Sequence, residues 1–138
     1  MANKVYPKYK KAAMSGGANT NLMTGNVKVV LVDTDPAAYV YSDAHEFLSN
    51  VPAGARIAAT GNLTGKSVSD LAAFDSDNPR LESVVGPSSE ALIGYIDTGI
   101  AATSRLVWYQ DVGVTGLPVT PEGGSYNIVV DAAGWFTL

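Results

Sequence analysis

A chain of 138 residues with 46% hydrophobic and 16% charged side chains is long enough for one domain with a real core and too apolar to stay disordered. The absence of cysteine excludes disulfides, thiolate metal sites and thiol nucleophiles together. No apolar run approaches the roughly 20 residues of a membrane span or forms the centre of a secretory signal, so a soluble chain made in the cytoplasm, with no membrane contact, is expected.

The net charge of −4 hides a division along the chain: Lys4, Lys8, Lys10, Lys11 and Lys28 all precede the first acid, Asp33, and all 13 acids lie from there onward. Residues 1–26 read as a basic N-terminal arm, and residues 27–138 as a β-rich, acidic body. Within the arm, Lys8–Met14 has room for a helical turn or two before Gly16-Gly17 and a polar Asn/Thr run break it. Lys4, Lys8, Lys10 and Lys11 supply charge. Tyr6 and Tyr9 supply large contact area for little rotamer entropy. These six residues are the expected partner-binding set. The asymmetry suits an acidic protein surface or a neighbouring copy, with nucleic acid the weaker alternative. Removing the arm is expected to leave the body folded.

Residues 27–33, "VKVVLVD", form a β-branched run of strand length. In "YSDAHEFLSNVPAG", Ser42 or Asp43 can cap a helix, with Glu46 three residues after Asp43, so a short helix ending near Asn50 is expected. Beyond it, strand-like segments recur between Gly, Asn, Asp and Pro: "ARIAATGNLTG", "KSVSDLAAFDSDN", "RLESVVG", "EALIGYIDTG", "SRLVWYQDVG", "SYNIVVDAAG" and "WFTL". The clearest unit is a hairpin of Glu90–Ile96 with Ser104–Gln110 around the loop "DTGIAAT". Both of its faces are partly apolar. That pattern fits either a central hairpin with one face left for a partner, or burial on both sides within a sandwich. Pro118 and Pro121 stiffen the next connection, Gly123-Gly124 releases it, and the apolar "WFTL" ends the chain as a strand tied into a sheet. The expected fold is mainly β, a single β-sandwich or barrel-like antiparallel domain with one short helix and an extended N-terminal arm.

Each stretch that hints at chemistry lacks a required part. In "GNLTGKS" three residues separate Gly61 from Gly65 where a phosphate-binding loop needs four, so a turn is expected. "DSDN", Asp75–Asn78, spaces oxygens like a calcium loop, but Arg80 and Gly86 stand where its glycine and final glutamate belong. A solvated turn fits better. "DTD", Asp33–Asp35, followed by Pro36, reads as a strand end with a cap. His45, the only histidine, has neighbours that fit a capped helix better than a general-base site. Trp108 and Trp135 lie within strand patterns and serve packing before stacking on a sugar or base. Asn62-Leu63-Thr64 is a chance acceptor match in a turn. No enzyme activity, metal or cofactor is expected.

Three strings, "VKVVLVDT", "HEFLSNVPAGARIAATGNLTGKSV" and "EALIGYIDTGIAATSRLVWYQDVGVTGLPVTPEGGSYNIVVDAAGWFTL", resemble a family of small structural virion proteins of tailed bacteriophages. The likeness spans roughly residues 27–138; the basic arm lies outside it. It implies a non-enzymatic head-decoration or tail-associated protein in the virion. With the arm and the low charge, the leading expectation is a capsid decoration or cement protein. It would bind the major capsid protein lattice through the arm and one sheet face, as a homo-oligomer. The alternatives are a tail, neck or fibre-adaptor subunit and a carbohydrate-binding module at the host surface.

Overall fold

A computed structural model describes residues 3–35, 38–114 and 116–138. Its centre is an antiparallel five-stranded sheet with the order β1-β8-β7-β2-β3. These strands are β1 (Lys4–Val5), β2 (Asn26–Val32), β3 (Arg56–Ala59), β7 (Ala91–Asp97) and β8 (Arg105–Gln110). β2 is the expected β-branched run, shifted by one residue at each end. It pairs in unbroken register with β7, from Asn26 opposite Asp97 to Val32 opposite Ala91. The expected hairpin is β7 with β8, and a bulge between Gly94 and Tyr95 re-aims its far half. A second sheet has the order β10-β5-β4: β4 (Ser67–Val68), β5 (Ala73–Asp75) and β10 (Phe136–Thr137). The pair β6 (Arg80–Leu81) and β9 (Tyr126–Asn127) stands apart. Among the described residues the sheets do not close into a barrel.

The two larger sheets meet on Trp108. Its ring lies 5.9 Å from Phe74, 5.2 Å from Trp135 and 5.3 Å from Phe136, centroid to centroid. Both tryptophans therefore fill the core, as their strand positions predict. The C-terminus is tied down as expected: β10 pairs with β5, and the Leu138 N–H bonds the Ala72 carbonyl.

All residues from Ala91 to Ile96 and from Arg105 to Tyr109 are buried by other parts of the same chain. The hairpin consequently offers no open sheet face to a partner, and of the two readings the pattern allowed, two-sided burial is the one realised.

Two further expectations need correction. The stretch around Asp43–Asn50 is not an α-helix, because side chains capture its backbone first. Ser42 Oγ accepts the Ala44 N–H, and Asn50 Oδ1 accepts the N–H groups of both Glu46 and Phe47. Only a 3₁₀ turn at Leu48–Asn50 remains. The N-terminal segment, in turn, is not an extended arm. β1 pairs with β8, Lys4 opposite Tyr109 and Val5 opposite Trp108. The following helix, α1 (Pro7–Met14), packs on the sheet through Tyr9 and Ala12. Residues 3–26 thus belong to the body, and the expected boundary at residue 26 marks no structural division.

Candidate interaction surface

Pro7 opens α1 at a position where its missing N–H costs nothing. Tyr6, just before it, is still extended and gives its N–H to the Val107 carbonyl. The buried positions Tyr6, Tyr9 and Ala12 recur every third residue, which places them along one side of the helix. Lys8, Lys10 and Lys11 are left facing outward or at the margin. The helix ends where Gly16, at φ +71°, adopts a backbone that L side chains avoid, and the Gly17 N–H reaches back to the Ala12 carbonyl at 2.7 Å.

The segment beyond is fastened to β8 by a buried cation. Arg105 gives Nε and Nη2 to the Ala18 carbonyl at 3.1 and 3.0 Å, and Nη1 to Glu46 Oε2 at 3.1 Å. Its guanidinium lies 5.2 Å from the Phe47 ring centroid. Tyr9 Oη donates to the Thr20 carbonyl, and Asn19 Nδ2 to the Ile96 carbonyl.

The six expected binding residues therefore separate by chemistry. Tyr6 is fully buried and Tyr9 is 4% exposed, so neither can anchor a partner; both anchor the segment to its own sheet. The four lysines remain at the surface. Lys4 stands 4.0 Å from Asp43 and over the Tyr41 ring. Among the described residues, no ion pair is formed by Lys8, Lys10 or Lys11. Lys28 is excluded from this face because Asp97 Oδ2 accepts its ammonium at 2.7 Å. The helix forms a ridge between two hollows. Lys4 and Lys10 border one of about 510 Å³; Lys8 and Lys11, with Glu46 and Arg105, border one of about 250 Å³.

Sequence reasoning missed what lies beneath the ridge. Tyr6 Oη and Tyr39 Oη share a hydrogen bond of 2.8 Å, and Tyr39 Oη meets His45 Nδ1 at 2.9 Å. Tyr41 donates to Asp43 at 2.8 Å and Tyr109 to Asp111 at 3.0 Å. Ring contacts run from Tyr6 to Tyr41, from Tyr41 to Tyr109 and from Tyr109 to Tyr39. The alternation of Tyr39 and Tyr41 was the available signal, but the two tyrosines stand in no strand. Burial pushes the Tyr39 phenol up to about 12. Tyr6 is raised further by burial and by Tyr39, and Tyr41 by burial and by its hydrogen bond to Asp43. All stay protonated near neutrality, so the cluster donates hydrogen bonds and holds no phenolate nucleophile.

Burial holds the His45 imidazole below its ordinary value of 6.5. Just below that pH the unfolded chain binds a proton that the folded chain does not. Stability is therefore full above the unfolded value and declines as the pH falls from there through the folded one. Between about pH 7.5 and pH 5.5 the Tm of a His45→Gln variant should drop less than that of the parent. Equal drops would mean that His45 contributes nothing to acid sensitivity.

The stretches that hinted at chemistry are occupied by turn bonding. In "GNLTGKS", Gly65 has φ +62° and Lys66 Nζ bonds the Gly25 carbonyl. In "DSDN", Asp75 Oδ1 accepts the Ser76 N–H, Asp77 Oδ2 the Thr64 hydroxyl and Asn78 Oδ1 the Val130 N–H. In "DTD", Asp33 Oδ1 accepts the Asp35 N–H; Pro36 lies outside the described residues. Among the described residues no three His, Asp or Glu side chains converge as a metal site, and no helix is long and apolar enough to cross a membrane. No protein-family model and no curated protein matches the chain.

Proposed function

We propose that the chain is a non-enzymatic structural protein of a tailed-bacteriophage particle. In this reading it is a capsid decoration or cement protein that docks on an acidic surface of the major capsid protein through Lys4, Lys8, Lys10 and Lys11. The carrying observation is that Lys8, Lys10 and Lys11, which form no ion pair among the described residues, are held on a helix that Tyr6 and Tyr9 fix rigidly to an otherwise acidic body, with Lys4 beside them on β1. Rigid presentation lowers the ordering cost of binding relative to a free arm. The sequence resemblance to small virion proteins supplies the particle. A repeating lattice lets a modest contact suffice, because each neighbour raises the effective concentration of the next, and homo-oligomers on symmetry positions suit such a lattice.

The test is a variant with Lys8→Glu, Lys10→Glu and Lys11→Glu, whose side chains leave the core untouched. Incubated with capsids stripped of the protein, it should lose at least about tenfold in occupancy, and the parent's binding should weaken as salt rises. Unchanged occupancy overturns the docking face. Signal on the tail axis of intact labelled particles would move the protein to the tail or neck.

A further inference from the structure

The larger hollow beside the lysine ridge lies between the ends of two sheets. β1 is the outermost strand of the five-stranded sheet and β10 the outermost strand of the three-stranded one, and both line it. Each is paired along one edge only among the described residues. The Tyr6 N–H points to β8, so the backbone groups of Val5, its neighbour, point to the free side. The Leu138 N–H points to β5, so those of Thr137 point away from it. Val5 and Thr137 both border the cleft. An exposed strand edge of this kind is a template for one more strand.

The side chains around it divide by character. Val5, Pro7, Trp135 and Phe136 offer apolar contact, whereas Lys4 and Lys10 bring two cations against one acid, Asp43. Asp43 is already engaged, accepting the Tyr41 phenol at 2.8 Å and facing Lys4 at 4.0 Å. Along an extended chain, successive side chains point to opposite sides. A segment alternating acidic with apolar residues would therefore set carboxylates on Lys4 and Lys10 and apolar groups on Phe136 and Trp135.

We infer that this cleft binds an extended, acidic peptide segment of a partner protein, added as a strand along the free edge of β1 or β10. This goes beyond docking on the lysine ridge. It concerns a groove with backbone recognition, and it holds or fails whether or not the partner is a capsid subunit.

The probe is a short synthetic peptide alternating glutamate and valine, titrated into the full chain labelled with ¹⁵N. Amide shifts should concentrate at Lys4–Val5 and Phe136–Leu138, and affinity should exceed that of the lysine–valine counterpart by about tenfold or more. A peptide in which alternate residues are proline, and so lack N–H donors, should bind at least about tenfold more weakly. In a Lys4→Glu, Lys10→Glu variant the preference between acidic and basic peptides should reverse. Shifts absent from both strands, or equal binding of the proline peptide, overturn the inference. Loss of capsid occupancy in a Lys8→Glu, Lys11→Glu variant, which keeps Lys4 and Lys10 in the cleft, with peptide binding intact, would separate the two surfaces.

Discussion

Deleting residues 1–26 is expected to abolish the cooperative fold of the remainder. The deletion removes β1, α1 and four core side chains: Tyr6, fully buried, Tyr9, 4% exposed, and Ala12 and Leu22, each 9% exposed. Emptying a large aromatic site costs about 3–5 kcal/mol, so two tyrosines alone approach the 5–15 kcal/mol by which domains of this size are usually stable. Two polar groups also lose partners, Tyr39 keeping only His45 and Arg105 only Glu46. Tyr39 loses its phenol partner, and the Arg105 guanidinium, buried within β8, loses the Ala18 carbonyl that receives two of its bonds. Leaving a buried cation short of acceptors adds to the cost. The truncated chain should show no near-ultraviolet dichroism and no sigmoidal urea transition. Replacing Lys4, Lys8, Lys10 and Lys11 by glutamine should leave both intact. A truncated chain with a cooperative transition would return the segment to the status of an arm.

Gly94→Ala should be the most damaging single methyl that can be added to this protein. A Cβ at that position would run into the Cε3, Cζ3 and Cη2 atoms of Trp108, which cross directly over the glycine. Neither side can yield. β7 is paired on both edges, by β2 and β8, and the Trp108 ring is wedged among Phe74, Trp135 and Phe136 with Nε1 bonded to Gln110 at 3.1 Å. Overpacking a core typically costs 1–3 kcal/mol, and a site without slack on either side should reach about 3 kcal/mol or more. The urea midpoint measures it. Combining Gly94→Ala with Trp108→Leu should be less harmful than the two costs added together, because the smaller side chain removes the collision. A Gly94→Ala protein within about 0.5 kcal/mol of the parent would contradict the packing.

The difference between what was readable and what was not follows from where each signal lies. β2 and the β7–β8 hairpin were legible because β-branched runs bounded by Asp and Gly carry their own pattern. Five of the six shorter strands, β4, β5, β6, β9 and β10, also fall within segments read as strands, although each holds only two or three residues; β1 was missed because its two residues form a strand only by joining β8, distant in sequence. Tyr6, Tyr9 and Ala12 did form a periodic stripe, but the four lysines interleaved with it suggested a solvated arm. The lysines were placed correctly at the surface for the reason that misplaced the tyrosines: charge was read for the whole segment, whereas burial is decided face by face. The tyrosine cluster was invisible because Tyr39 and Tyr41 reach Tyr6 and Tyr109 only through the fold.

The clasp between Asn3 and the end of β8 has a consequence for how the molecule is made. Asn3 Oδ1 accepts the N–H groups of Asp111 and Val112, and its Nδ2 bonds the Val112 carbonyl, 109 positions away. Residues made long before β8 are thus among the last to find their place, since β8 must emerge and pair with β7 before β1 has an edge to join. Such long closures slow folding, into the range of milliseconds to seconds for β-rich domains. During that interval Tyr6 and Tyr9 are uncovered beside the lysines, and a nascent copy shows its surroundings a sticky aromatic segment that the finished protein conceals.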